Sequence, residues 1–451
     1  MLRILRPLRC LPRSVIRLAS KGAEPEDPCC DPNNPKELTY QQISVAQHKL
    51  KICLDNVARF PVLPLLLHIS NLTGCKVYIK MEVNQDTGSF KERGGRFALM
   101  KLTEQEKKSG VFAASAGNHA QAIAIHGKQL GIKVNVVMPR HAPLMKITKC
   151  KELGANVLVE GKDIGVSRQI ALKLAKESGG KYINGYDHID VLAGAGTVAT
   201  EILDQVPDVD AILSPSGGGG LLAGCCVAAH ALSPSTKVIG LVPESCPSML
   251  KSLEAGKPIP IKSNPTLADG LAVPTVGVNA FHSLKNLVSK VIAVKETDIA
   301  VGILRLLETE KVVTEGAGAI GVAALLAGNL PELTGKKVVC ILSGGNIDST
   351  MVGRCIEKGL AVDNRLIRFE ALISDRPGGV AELSKLVADT GASVKDMAME
   401  RAFHRSDAFT TNCKVVVETR GLEHAVELRN VLKKRYGPDC QFFTIHGPMD
   451  N

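Results

Sequence analysis

Five short segments of this 451-residue chain combine residue types that can do chemistry. They are Ser89-Phe90-Lys91-Glu92-Arg93-Gly94-Gly95, Ser115-Ala116-Gly117-Asn118-His119, Gly217-Gly218-Gly219-Gly220, Asp269-Gly270 and Ser343-Gly344-Gly345-Asn346. An isolated lysine is ordinarily a solvated surface residue. Lys91, however, follows Phe90 and precedes a helix-like stretch, so it stands at a strand-to-helix turn. A helix N-terminus disfavours the ammonium form of an amine held there, and a Schiff base requires the neutral amine. The Gly217–Gly220 run follows an apolar strand and opens a helical stretch at Leu221. Without Cβ atoms its backbone N–H groups can close on a phosphate at a helix N-terminus. A dinucleotide site or a plain tight turn is the alternative, but the dinucleotide fingerprint spaces its glycines as Gly-x-Gly-x-x-Gly. Ser115–His119 ends a strand and precedes a helix, which suits a carboxylate and equally suits an ordinary helix cap.

In this order the segments resemble the fold-type-II pyridoxal-phosphate enzymes, and within them the threonine/serine dehydratases (ammonia-lyases). The resemblance spans roughly residues 45 to 360. It implies pyridoxal 5'-phosphate bound to Lys91, which would also move the substrate Cα proton. It implies Ser115 and neighbouring amides holding the substrate carboxylate, with Asn118 on the cofactor's phenolic oxygen. Gly217, Gly218, Gly219, Gly220 and Leu221 would cradle the phosphate, and Ser343 would meet the pyridine nitrogen. A neutral hydroxyl there makes the ring a weaker electron sink than an aspartate would, which favours prompt loss of a β-leaving group. The expected reaction is β-elimination of L-threonine or L-serine to 2-oxobutanoate or pyruvate plus ammonia. Ala116 replaces the serine with which serine racemases protonate the opposite face, so racemisation is expected to be weak. Val242 and Ser248 replace the racemases' metal-ligating carboxylates, and no metal is expected. Ala195 in Leu192-Ala193-Gly194-Ala195-Gly196 and Glu92 beside the lysine also depart from the family pattern. A β-replacing enzyme and a non-catalytic amino-acid sensor are the remaining alternatives.

These residues need rigid elements to place them. Strand-like runs occur at Val77–Lys80, Val111–Ala114, Val134–Met138, Val157–Glu160, Ala211–Ser214, Val238–Val242 and Lys337–Leu342. Amphipathic stretches separate them, an α/β rhythm of parallel sheets covered by helices. The resemblance divides the catalytic part (39–360) into two lobes, the smaller at about 86–185, with the cofactor between them.

After Asp363 the pattern changes. Strands at Leu366–Ile373, Ser393–Glu400, Cys413–Thr419 and Gln441–Ile445, with helices at Val380–Thr390 and Glu423–Arg435, make a βαββαβ unit. Together with the turn Asp375-Arg376-Pro377-Gly378-Gly379 it resembles an ACT-like regulatory domain over 364–446. That resemblance implies either an amino-acid effector at the turn or a purely structural pairing module, and a homodimer or homotetramer.

Composition bounds the rest. Hydrophobic residues make up 45% and charged residues 22%, a globular balance, and no apolar stretch approaches membrane-span length. The net charge of +10 includes Arg3, Arg6, Arg9, Arg13, Arg17 and Lys21, all before the first acidic residue; without those six it is +4. No basic patch for nucleic acid is evident. Residues 1–21 resemble a mitochondrial presequence, implying the matrix; a disordered basic tail, and a cytoplasmic protein, is the alternative. Residues 22–38 are turn-forming and read as a linker, with Cys29 and Cys30 as two exposed thiols in it.

Overall fold

The structure is a computed structural model that describes residues 27–52, 66–402, 408–445 and 447–448; the presequence reading lies outside these. Nine strands build two parallel sheets: β1 (Lys76–Met81), β2 (Val111–Ala114), β3 (Val134–Met138), β4 (Asn156–Val159), β5 (Lys181–Tyr182), β6 (Ala211–Pro215), β7 (Lys237–Pro243), β8 (Lys290–Val294) and β9 (Lys337–Leu342). The larger sheet has the order β1-β9-β6-β7-β8 and the smaller β4-β3-β2-β5. All seven runs read from the sequence are strands. The two-residue β5 and the edge strand β8 were not anticipated.

Alternation along β9 shows how the larger sheet is buried. Val339 and Ile341 join one apolar cluster, while Val338, Cys340 and Leu342 join the cluster on the other face. Each fully buried aliphatic side chain contributes about 1.5–3 kcal/mol. With both faces covered, the strand ends become the fixed points from which the functional loops leave.

One helix, Ile189–Gln205, sets the spacing of two others. It crosses the Lys91–Met100 helix where a Cβ on Gly194 would stand 2.6 Å from the Gly94 Cα. It crosses the Gly220–Leu232 helix where a Cβ on Gly224 would stand 2.6 Å from the Gly196 Cα. At both crossings the backbones touch, and a methyl group would force them apart.

Beneath the Lys91 helix lies a buried ionic network. Arg93 donates to both carboxylate oxygens of Glu82, at 2.7 and 2.8 Å, and to both of Glu201, at 2.7 and 2.9 Å. Lys80 donates to Glu201 Oε2 at 2.8 Å. Two cations and two anions make the group neutral, and the network ties β1 to two helices.

Residues 27–38 are mostly exposed but are fastened to the larger lobe's helix at Val278–Leu284. Asn279 donates to the Cys29 carbonyl at 2.8 Å and accepts from the Lys36 amide at 2.7 Å, and the Leu38 amide reaches Ser283 Oγ at 2.9 Å. The expectation of exposed thiols is corrected: Cys30 is 8% exposed and Cys29 partly buried. Burial, with Asp187 and Asp27 beside it, pushes the Cys30 thiol well up, so it remains protonated.

The C-terminal unit has β10 (Leu366–Ser374), β11 (Ser393–Glu400), β12 (Thr410–Glu418), β13 (Cys440–Thr444) and the short β14 (Gly447–Pro448), in the order β11-β12-β10-β13-β14. The β10 strand pairs antiparallel with both β12 and β13. Helices Gly379–Asp389 and Leu422–Tyr436 complete the βαββαβ pattern read from the sequence. A stacked Phe369–Phe442 pair, ring centroids 5.2 Å apart, lies in its separate core. At its root Arg305 pairs with Asp363 at 2.6 Å and Arg365 with Glu308 at 2.7 Å. Among the described residues, no helix is long and apolar enough to cross a membrane.

Candidate active site

Lys91 is the first residue of its helix, and Phe90 and Ser89 are fastened to the end of β9. The Phe90 amide donates to the Ser343 carbonyl at 3.0 Å, Ser89 and Gly344 form an antiparallel bridge, and the Gly345 amide donates to the Gly88 carbonyl at 2.9 Å. These backbone bonds bring the Lys91 and Ser343 segments, 252 positions apart in numbering, side by side. The Lys91 ammonium donates to the Gly185 carbonyl at 2.5 Å. Burial pulls this amine down to about 8, against an opposing pull from Glu315. Neutral amine is therefore accessible near physiological pH, as imine chemistry requires.

The glycine run connects β6 to the Gly220–Leu232 helix and is buried throughout. A Cβ on Gly218 would enter the Tyr186 ring; on Gly220 it would stand 2.7 Å from the Tyr186 carbonyl; on Gly217 it would stand 3.0 Å from the Leu271 Cα. Gly219 has φ +97°, where a side chain is strained. The Gly217, Gly218 and Gly219 amides have no acceptor among the described residues, and neither does the buried Ser216 hydroxyl. Leu221 continues the first helical turn, whose N–H groups have no intrahelical partner. Buried, unpaired donors at a helix N-terminus cost free energy unless an anion meets them, so this loop fits a phosphate.

Asn118 opens the Asn118–Gln129 helix, with Ser115 and Ala116 just before it at the end of β2. Ser115 Oγ accepts from the Gly117 amide at 3.3 Å, the small turn expected of a loop that turns its amides outward. Asn118 Nδ2 donates to Glu315 Oε1 at 2.8 Å, and its Oδ1 accepts from Asn346 Nδ2 at 2.8 Å. The Ser343 residue is 2% exposed, and its hydroxyl makes no hydrogen bond to the described residues. Contacts thus link these segments: Phe90 to Ser343, Lys91 to Gly185, Asn118 to Glu315 and Asn346, and Tyr186, next to Gly185, against Gly218. Asp269 pairs with Lys146 at 2.9 Å. Val242 and Ser248, the positions read as lacking metal ligands, are both buried.

Sequence reasoning missed two neighbours, Glu315 and Tyr186, and gave His119, inside the 115–119 segment, no role. Glu315 is 5% exposed; burial and Asp269 push its carboxyl up to about 7, against Asn118, Lys146 and Lys91. Tyr186 floors the glycine loop. His119 donates from Nε2 to the Ile183 carbonyl at 3.1 Å, which leaves Nδ1 bare and buried. Burial and the Lys91 charge hold that imidazole down at about 3, hence neutral. A signal for Glu315 existed: it is the one charged residue between Val312 and Leu326, a run otherwise of apolar residues, glycines and one threonine.

Comparison with known proteins agrees with the geometry. The chain is 42% identical to an L-threonine ammonia-lyase of Thermotoga maritima over 395 residues, 88% of this chain and 97% of that protein. It is 38% identical to one of Geobacter sulfurreducens over 364 residues, 80% of this chain and 90% of that protein. The processed form of threonine deaminase isoform 2 from Solanum lycopersicum superposes with a TM-score of 0.67 at 31% identity, covering 75% of this chain and 98% of that one. A serine racemase from Dictyostelium discoideum superposes with a TM-score of 0.64 at 34% identity, covering 69% and 99%. The family model for pyridoxal-phosphate dependent enzymes matches residues 58–344, the span that contains Lys91, the glycine cradle and Ser343, and the chain belongs to that family.

Proposed function

We propose that this protein is an L-threonine/L-serine ammonia-lyase, converting its substrate to 2-oxobutanoate or pyruvate plus ammonia. The observation that carries the reading is the buried Lys91 amine, lowered toward neutrality, at the start of a helix whose preceding residue is bonded through its backbone to Ser343. Pyridoxal phosphate, when bound, supplies the electron sink that makes the substrate Cα–H acidic. Gly217–Leu221 would hold its phosphate, Lys91 its aldehyde carbon, Asn118 its phenolic oxygen and Ser343 its ring nitrogen.

The chain's own residues account for the rest. Ser115 and the amides that follow it hold the substrate carboxylate and orient Cα toward Lys91. The Lys91 amine takes the Cα proton, the Cβ–O bond breaks, and the hydroxyl departs with a proton as water. The enamine that leaves is hydrolysed to the 2-oxo acid and ammonia, so the water lost is regained and no oxidant is needed. Ala116 offers no proton to the opposite face, which supports elimination over the racemase alternative.

The test is release of 2-oxo acid from L-threonine and L-serine by protein purified with pyridoxal phosphate. Lys91→Ala is expected to abolish it, together with the yellow colour of the bound cofactor. Normal turnover by that variant refutes the assignment. Residues 39–360 are read as the catalytic part, with a small lobe of about 86–185; the sheet β4-β3-β2-β5 supports that lobe. The unit at 364–446 is read as ACT-like, binding an amino acid at Asp375–Gly379 and pairing subunits; activity unmoved by any free amino acid favours pairing alone. The arginine-rich, acid-free residues 1–21 support matrix targeting. The curated relatives described above are bacterial, so the targeting reading rests on those residues alone, and an import assay with and without them decides it.

A further inference from the structure

Between the lobes runs a hydrogen-bond relay whose ends settle its direction. Thr87 contributes a carbonyl, which only accepts, 2.6 Å from Asn346 Nδ2. Lys149 contributes an ammonium, which only donates, 3.1 Å from Asn346 Oδ1. Together they orient the Asn346 amide one way. Its Nδ2 also donates to Asn118 Oδ1 at 2.8 Å, so both its hydrogens are committed. Asn118 must then turn Nδ2 toward Glu315 Oε1, 2.8 Å away, and its second Nδ2 hydrogen remains free.

We infer that Glu315 is a positioning residue that acts through Asn118: by accepting one amide hydrogen it fixes the direction in which the other is offered to the bound cofactor. The inference rests on these segments forming the pyridoxal-phosphate site. The carboxylate is itself held in place. The Glu315 amide donates to the Gly344 carbonyl at 3.1 Å, and its carbonyl accepts from the Gly318 amide at 2.9 Å. A side chain at 344 would run into the carboxylate. The charged groups facing it are Asp269, Lys146 and Lys91. Burial raises its proton affinity, and either protonation state keeps an oxygen able to accept from Asn118.

A mutant cycle on the holoenzyme tests this, read by the cofactor's dissociation constant, the position of its visible band, and kcat and KM. Glu315→Leu and Asn118→Ala are each expected to weaken cofactor retention roughly tenfold and to move the band in the same direction. The double variant is expected to be no more than about twofold worse than either single one, because both remove the same interaction. Glu315→Gln keeps an acceptor of the same reach and should retain the wild-type band and affinity within about threefold. Glu315→Asp keeps the charge but falls short of Asn118, and should behave like the leucine variant; it stands in if Glu315→Leu does not fold. Additive losses in the double variant, near a hundredfold, would overturn the inference. So would wild-type affinity in Glu315→Asp. A wild-type protein that binds the cofactor but releases no 2-oxo acid sinks the lyase reading, while the cycle on the visible band still decides the role of Glu315.

Discussion

Replacing Glu201 by glutamine should remove about 3 kcal/mol of stability from the catalytic part. Both carboxylate oxygens of Glu201 accept: Oε1 from Arg93, and Oε2 from Arg93 and Lys80. Glutamine keeps one acceptor and turns an NH2 group toward a donor, and the network is left with one net buried positive charge. The carboxyl is held down at about 2 against an ordinary 4.5; burial opposes this, and Arg93 and Lys80 overcome it. At about 1.4 kcal/mol per tenfold change in proton affinity, that depression is worth about 3 kcal/mol. Stripping one partner from a buried ion pair costs a similar ~3–5 kcal/mol. Because the folded pKa is depressed, this stability is present above pH 4.5 and is lost as pH falls through about 2. The assay is urea unfolding followed by the visible cofactor band, since a chain with separate cores need not unfold in one step. Lys80→Met in the Glu201→Gln background restores neutrality and should recover at least ~1 kcal/mol. A loss below ~1 kcal/mol at pH 7, or no recovery in the double variant, would show that desolvation cancels the pairing and that the reasoning is wrong.

Other expectations follow from the same geometry. Gly218→Ala puts a methyl into the Tyr186 ring and should cost ~1–3 kcal/mol and most of the cofactor affinity, measured by melting and by titration with pyridoxal phosphate. The Glu315 carboxyl, pushed up to about 7, contributes stability fully present below pH 4.5 and lost as pH rises through 7. In the cofactor-free chain Glu315→Gln should therefore unfold with a shallower pH dependence between 4.5 and 8, by up to ~3 kcal/mol. Phe442→Ala opens the stack on Phe369 and should cost the C-terminal unit ~3–5 kcal/mol, seen as an early circular-dichroism transition that leaves the visible band in place.

The elements were legible wherever burial imposes a pattern. Strands such as Val134–Met138 are apolar runs between turn residues, and β10 and β12 alternate as half-buried strands do. A two-residue strand such as β5 leaves too little pattern to read. The anchoring of the polar segment at 27–38 was not readable because its partners, Asn279 and Ser283, lie some 240 residues away and satisfy backbone groups that no local rule can pair. Among the candidate site residues, Ser115, Asn118 and Gly217–Gly220 stand at strand-to-helix turns, as the sequence pattern suggested, and Lys91 opens a helix. Glu315 and Tyr186 matter through contacts made only in three dimensions. The buried network of Lys80, Glu82, Arg93 and Glu201 was invisible for a related reason: charged residues in helices and strands look alike whether they face water or one another.

The Ile189–Gln205 helix meets the Lys91 helix at Gly194 and the glycine-cradle helix at Gly196, two residues apart on one rigid rod. The rod therefore acts as a gauge block. The span from amine to glycine loop is machined into the three residues 194–196, which border the network under Lys91, and backbone contact fixes the tolerance. Drift elsewhere in either lobe can be absorbed, but a methyl at either crossing changes the calibration of the whole pocket. Grafting this cofactor site onto another scaffold would mean transplanting the gauge along with the two helices it spaces.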